Sequence, residues 1–298
     1  MRVFVTGANG FIGSAIVREL TSAGHDVLGL ARSEASARAV EHLGAAVHRG
    51  DVTDLASLAA GAQACDGVIH TAFNHDWSIG RDVAAQDDRR AVDAIVSALE
   101  GTGKAFVSTS ATTVLAGPRT GTEHDMPTPG AAAALRAPSE HAVLEAASRG
   151  VRSSVVRLPP SVHGTGDHGF VPILIDVARR AGFAAYVDDG TNQWPAVHRA
   201  DVARLFRLAL DGAAAGSRWH GVGEEGVEMR EIARAIGDGL GVPVRSLPAS
   251  DAEAHFGWFA GFAAIHNPTS SVHTRLSLSW MPHGPGLVED IGSGGYFA

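Results

Sequence analysis

Val3 to Thr6 is a short β-branched and aromatic run that stops at a glycine, and the stretch after it, Phe11 to Leu20, places Phe11, Ile12, Ile16, Val17 and Leu20 on one helical face. The pattern predicts strand, turn, helix. It recurs as a strand at Asp26 to Leu30, a helix at Glu34 to Leu43, a strand at Ala46 to His48 and a short helix at Asp54 to Ala60. A strand at Gly67 to His70, a long helix at Val83 to Leu99, a strand at Ala105 to Ser108, a helix from about Pro138 to Ser148 and a strand at Ser154 to Leu158 complete it. Strands and helices alternating at this spacing predict parallel β-α-β units closing into a doubly wound sheet of the α/β class. The rhythm ends at Pro159-Pro160. Beyond it, helices near Val171 to Arg180, Asp201 to Leu210 and Met229 to Leu240 sit among glycine- and proline-rich loops, which predicts a smaller C-terminal capping domain. We expect one domain over 1–158, rejoined by 192–212, and a second mainly over 159–298. The low-complexity run from Ala131 to Ala134 carries no functional expectation, and the chain has no internal repeat.

With 298 residues and 45% hydrophobic content the chain can bury a large core unaided by disulfide or metal. Its net charge is −8 and its 24 basic residues are scattered, which argues against nucleic acid or an anionic membrane as a partner. Cys65 is the single cysteine, so no internal disulfide is possible, and a reducing, cytoplasmic setting is expected. Met1-Arg2-Val3 runs straight into the first strand, leaving no signal peptide to expect, and no apolar run is long enough to cross a bilayer. The 15 histidines include no HExxH, and His163 with His168 lacks accompanying carboxylates, so no metal site is expected.

Thr6-Gly7-Ala8-Asn9-Gly10-Phe11-Ile12-Gly13 stands between a strand and a helix, the context in which a glycine fingerprint has mechanical meaning. Glycine permits the tight turn, lets backbone N–H groups approach a pyrophosphate, and packs the helix on the sheet. Gly7, Asn9, Gly10, Phe11, Ile12 and Gly13 are therefore expected to hold a dinucleotide. A site preferring NAD usually ends its second strand in a carboxylate, whereas here the chain reads Leu30-Ala31-Arg32-Ser33. Arg32 can pair with a 2′-phosphate and Ser33 can donate to it, which favours NADP(H). Asp51 and Val52, after the third strand, suit the adenine amino group and ring, with Asp51 as a loop cap an equal alternative.

These motifs, in order, resemble the extended and atypical short-chain dehydrogenase/reductases, the NAD(P)-dependent epimerase/dehydratase family. The resemblance continues through Val68-Ile69-His70-Thr71-Ala72, Ser108-Thr109-Ser110, Arg157-Leu158-Pro159-Pro160, Val162 to Asp167, Val197 to Ala203 and Leu278-Ser279-Trp280-Met281-Pro282. It implies a Rossmann-type sheet with a substrate-capping domain, and a cofactor lined also by Thr71, Ala72, Phe73, Ser108, Thr109, Leu158, Pro159 and Pro160. It implies a homodimer too, in which helix faces such as Val92, Ile95, Val96 and Leu99 with Val143, Leu144 and Ala147 meet their symmetry mates, the alternative being that these stripes pack in the chain's own core with only part of each exposed. Such enzymes carry a serine, matched by Ser110, and a tyrosine and lysine spaced YxxxK. The chain's two tyrosines are Tyr186 and Tyr296 and its one lysine is Lys104, so that pair is absent. Arg136 stands in the tyrosine slot and Glu140 in the lysine slot. Arginine stays protonated and cannot act as an acid at neutral pH. Glu140 can instead accept from the nicotinamide ribose hydroxyls.

A reductase without that tyrosine needs another proton source, for which Ser110, Tyr186, His163 and His198 are candidates, or a substrate such as an imine or activated alkene that needs orientation first. Asn74, His75 and Trp77 follow the fourth strand at the sheet's carboxyl edge and are expected at the substrate, with Thr112, Trp194 and His198 completing that set. Asp188, Asp189 and Phe256 to Phe259 suit a lid of mixed polarity. The alternatives are a non-enzymatic NADP(H) sensor, and a sugar-nucleotide epimerase or dehydratase.

Overall fold

The computed structural model describes residues 1–74, 80–131, 134–293 and 295–297. β1 (Arg2–Thr6), α1 (Phe11–Ser22), β2 (Asp26–Ala31), α2 (Glu34–His42), β3 (Ala46–Arg49), α3 (Leu55–Gln63) and β4 (Gly67–His70) form the first half of the winding. α4 (Arg81–Leu99), β5 (Ala105–Ala111), α5 (Ala137–Glu145) and β6 (Arg152–Leu158) continue it. Each strand pairs in parallel with its neighbours, as the right-handed crossover of a strand–helix–strand unit requires. Val3, Phe4 and Val5 lie at the centre of this sheet and are fully buried. A strand covered on both faces has to be apolar throughout.

The expected rhythm ends at β6, but the sheet does not. β7 (Ser161–His163), α6 (Phe170–Ala181), β8 (Ala184–Val187) and β9 (Gln193–His198) leave it, after which α7 (Arg199–Gly212) and β10 (Ser217–His220) return. β10 pairs in parallel with β6, giving seven strands in the order β10-β6-β5-β4-β1-β2-β3. After β6 the chain returns to this sheet through α7 and β10, while β9 belongs to a separate three-stranded sheet with β7 and β11 (Glu224–Glu228).

One face of the central sheet is covered by α1 and α7, where Ile16, Val17 and Leu20 meet Val202, Leu205, Phe206 and Leu210. On the other face Val92, Ile95, Val96 and Leu99 of α4 and Val143 of α5 pack with Phe4 and Phe106. These are the residues expected at a dimer interface. They are spent on the core of their own chain, and only Leu144 and Ala147 of that set are half-buried.

A second core gathers α6, β8, β9, α8 (Met229–Leu240), β12 (Val244–Leu247), α9 (Ala252–Phe256), α10 (Ala260–Ala263) and α12 (Leu287–Gly292). Between the last two, α11 (Val272–Leu278) leads into Trp280, whose indole Nε1 donates to the Asp201 carbonyl at 2.9 Å. The Asp201 carboxylate accepts from the amides of His283 and Gly284 at 2.9 and 2.7 Å. The C-terminal Leu-Ser-Trp-Met-Pro motif is thus a clamp between the chain's end and the start of α7. No described helix is long and apolar enough to cross a membrane.

Candidate active site

The glycine turn is explained by what a side chain would strike. Gly7 has φ +69°, and a methyl group there would stand 2.8 Å from Thr71 Oγ1 and 2.9 Å from the Ala72 amide nitrogen. At Gly13 it would stand 2.0 Å from the Gly7 carbonyl, so α1 can pack on the turn only without it. Gly10 caps α1 without a side-chain hydrogen bond, and its own N–H donates to the Gly7 carbonyl at 2.9 Å. The first N–H groups of α1, Phe11 and Ile12 among them, are left facing outward with no acceptor among the described residues. Unpaired donors at the positive end of a twelve-residue helix, above a turn that tolerates no side chain, fit a dinucleotide pyrophosphate. Arg199 lies over the Phe11 ring at 4.9 Å and His168 meets its edge at 5.8 Å, so two cationic or cation-capable residues flank the cradle.

At the end of β2, Arg32 is exposed and has no ion-pair partner among the described residues. Its neighbourhood is otherwise neutralised, because Arg49, at the end of β3, holds Glu34 at 2.8 Å. Ser33 is the N-cap of α2: its hydroxyl accepts from the Ser36 amide at 3.1 Å and its own amide donates to Ser36 Oγ at 2.9 Å. Its oxygen is therefore committed first to the helix. Asp51 acts as a loop cap, its Oδ1 accepting from the Thr53 amide and hydroxyl at 2.9 and 2.8 Å, while Oδ2 has no partner among the described residues. Val52 is half-buried beside it.

A chain of polar groups runs from β1 to the residue in the tyrosine slot. The Ala72 amide donates to Thr6 Oγ1 at 3.3 Å, which leaves the Thr6 hydrogen for His70 Nδ1 at 2.7 Å. That assigns the ring hydrogen to Nε2, 3.4 Å from Asp88 Oδ1. Burial works against the charge on Asp88, but Arg136, His70 and Ser139 outweigh it and hold its carboxyl below the usual range. Arg136 stands 3.8 Å from Asp88, donates from Nη2 to the Thr109 carbonyl at 2.8 Å, and lies 4.2 Å over the Phe73 ring. Thr109 in turn donates its hydroxyl to the His70 carbonyl at 2.9 Å, and Thr71 to that of Thr6 at 2.8 Å. Thr71, Ala72, Phe73, Asn74, Thr109 and Arg136 thus gather at the carboxyl edge of β4 and β5, where doubly wound sheets bind ligands. His75 and Trp77 lie outside the described residues.

Ser110 and Glu140 are joined, in a way the sequence did not suggest. Ser110 donates to Glu140 Oε2 at 2.7 Å, and Arg157, with a side chain 0% exposed, donates from Nε to Oε2 at 3.1 Å and from Nη2 to Oε1 at 2.5 Å. Arg218 adds a cation at 3.4 Å. This corrects the expectation for Glu140: its carboxylate is saturated by protein groups and is not free for ribose hydroxyls. Burial again opposes the charge, and Arg157, Ser110 and Arg218 together hold the carboxyl below its ordinary value. Arg157 also donates to the Asp125 carbonyl at 3.0 Å and faces His220 Nε2 at 3.3 Å, while His220 Nδ1 bonds the Ser270 carbonyl at 2.7 Å. Nδ1 must carry the hydrogen, so Nε2 is an acceptor for Arg157.

Several other expected site residues have structural employment. His163, one of the candidate proton sources, is fully buried and pairs with Asp290 of α12 at 2.9 Å. Tyr186, another candidate proton source, lies on β8 in the two-stranded sheet, and its ring stands over Gly190 beside Arg230. Trp194 is 0% exposed among Phe170 and Phe259 in the second core, and Thr112 is buried, donating to Asn267 Oδ1 at 2.8 Å. His198 caps α7 and packs on Gly164 and Gly284. Burial and the neighbouring His163 lower its pKa. Ser108, midway along β5, and Leu158 and Pro159, at the end of β6, are buried, with Pro160 half-buried. Among the described residues no three His, Cys, Asp or Glu side chains gather as a metal site would require.

A wound sheet with an open helix terminus at its switch point and a polar cluster at the carboxyl ends of β4 and β5 defines a dinucleotide-dependent class of protein. The chain belongs to the NAD dependent epimerase/dehydratase family, whose sequence profile matches residues 3–220. It is 48% identical, over 299 aligned positions spanning 100% of both chains, to an uncharacterized protein of Schizosaccharomyces pombe. It is 30% identical to the 4-hydroxy-2-methyl-3-oxo-4-farnesyl-3,4-dihydroquinoline-1-oxide ketoreductase of Stigmatella aurantiaca, over 86% of this chain and 80% of that one. Among solved structures, a dTDP-glucose 4,6-dehydratase from Streptomyces venezuelae, determined with NAD bound, shares the fold with a TM-score of 0.78 at 22% identity, covering 99% of this chain and 96% of that one.

Proposed function

We propose that the protein is an NADP(H)-dependent reductase acting on a small organic C=O, C=N or activated C=C group without a Tyr–Lys pair. The observation that carries the cofactor choice is Arg32, exposed and without an ion pair among the described residues, while the nearest carboxylate, Glu34, is held by Arg49. The glycine turn and the amides of α1 would hold the pyrophosphate, and Thr71, Ala72, Phe73 and Pro159 would line the nicotinamide side. When bound, the cofactor supplies the hydride. The chain's own residues supply orientation and charge: Arg136 can hold negative charge on a substrate oxygen but cannot give up a proton. Ser110, having given its hydrogen to Glu140, presents lone pairs. The similarity to a ketoreductase supports reduction over epimerisation. The test is fluorescence titration of the purified protein with NADPH and NADH. NADPH should bind more tightly, and Arg32→Ala should weaken NADPH by about 10- to 100-fold while leaving NADH unchanged, the loss of one charge-assisted contact. Equal binding of the two cofactors by the native protein, or an Arg32→Ala effect shared by both, would refute the NADP(H) assignment.

A further inference from the structure

Arg136 is bound on one side only. Nη2 is used on the Thr109 carbonyl, and Asp88 at 3.8 Å is an ion-pair neighbour without a hydrogen bond. Nε is buried without an acceptor and Nη1 has none among the described residues, although the side chain is 16% exposed. A buried donor left unpaired is costly, and a guanidinium is built to meet a carboxylate with two parallel donors. Asp88 does not remove the need, because its charge is shared with His70 and Ser139. The brace from Thr6 through His70 and Asp88 fixes where the guanidinium stands, and the Phe73 ring beneath it fixes its plane.

One residue along β5, Ser110 faces the opposite requirement. Its single hydrogen is committed to Glu140, so toward a ligand it accepts. The site therefore offers a cationic donor at Arg136 and a neutral acceptor at Ser110. With one cation already partly balanced by Asp88, it suits a single negative charge better than a phosphate's two.

We infer that the substrate is a carboxylate-bearing carbonyl compound, its carboxylate held by Arg136. The inference deepens the reductase reading and rests on it for the word substrate, but the recognition itself is testable without turnover. Calorimetry of the purified protein, with and without NADPH, is run with 2-, 3- and 4-oxohexanoate, each against its methyl ester. At least one acid should bind about 10- to 100-fold more tightly than its ester. Arg136→Gln should abolish that advantage and leave the ester unchanged, and Arg136→Lys should restore part of it. Melting curves identify a variant that has not folded, in which case the acid–ester contrast on the native protein decides. Acids that bind no better than esters, an advantage that survives Arg136→Gln, or no binding of any probe would overturn the inference. Failure of both dinucleotides to bind would instead overturn the reductase reading, and the acid–ester contrast would still stand or fall separately.

Discussion

Replacing Glu140 with glutamine keeps the side chain's shape and one acceptor but removes the charge that Arg157 is buried against. Both side chains are 0% exposed, and Glu140 is the only carboxylate within salt-bridge distance of Arg157 among the described residues. Removing one member of such a pair costs about 3–5 kcal/mol, mostly from the partner left charged in the interior. At about 2.1 cal/mol/K per residue, the 298 residues unfold with an entropy of about 0.6 kcal/mol/K, so Glu140→Gln should lower the melting temperature by about 5–8 °C. Scanning calorimetry at several pH values checks the reasoning further. The folded pKa of Glu140 lies below its ordinary 4.5, so its contribution is complete above pH 4.5 and is lost as pH falls through the folded value. The gap between native and variant protein should hold constant from about pH 8 to 5.5 and close only in acid. A shift under about 2 °C, or a gap already closing between pH 7 and 6, would refute the account. NADPH affinity of the folded variant should be unchanged, because no oxygen of Glu140 is free for the ribose.

His220 has its pKa lowered by burial to about 4, so the unfolded chain takes up the proton first and stability should fall as pH drops from 6.5 toward 4; thermal melts should show that His220→Gln loses part of this slope. Gly13→Ala puts a methyl 2.0 Å from a carbonyl oxygen and should abolish dinucleotide binding by titration. Gly24→Ala, at φ +82° with nothing within 4 Å, should cost only about 1 kcal/mol of backbone strain and leave binding intact. The double exchange Arg136→Tyr with Glu140→Lys, which rebuilds the family's pair, should give insoluble or molten protein by circular dichroism, since it sets a lysine against Arg157 and Arg218 with no anion between them.

The strands β1 to β6 were legible because short runs with β-branched residues alternate with stretches of helical spacing, and the central ones are buried on both faces. β10 was not. Its Ser-Arg-Trp-His has no apolar period, and it enters the sheet because Arg157 and the Ser270 carbonyl satisfy His220 from either side. The glycine turn was legible from spacing alone. The role of Glu140 was not, because its partner lies 17 residues away inside a motif that looked like a cofactor loop, and no local pattern announces an ion pair between a helix and a strand. The partners of His163, Thr112 and Trp194 were not legible for a common reason: residue type marks chemical capability, while only packing tells that Asp290, Asn267 or a cluster of phenylalanines meets it.

The departure from the family's tyrosine and lysine is therefore not two independent losses. An acidic residue at 140 is tolerated because Arg157 lies beneath it, and once Glu140 is ionised it captures the hydrogen of Ser110. A serine that can no longer donate leaves negative charge on a ligand to be met by its neighbour, and the neighbour is an arginine held by Asp88 and the Thr109 carbonyl. Each change makes sense of the next. In the reductase proposed above, the set replaces a proton-donating site with a charge-holding one, as the inferred carboxylate-bearing substrate requires.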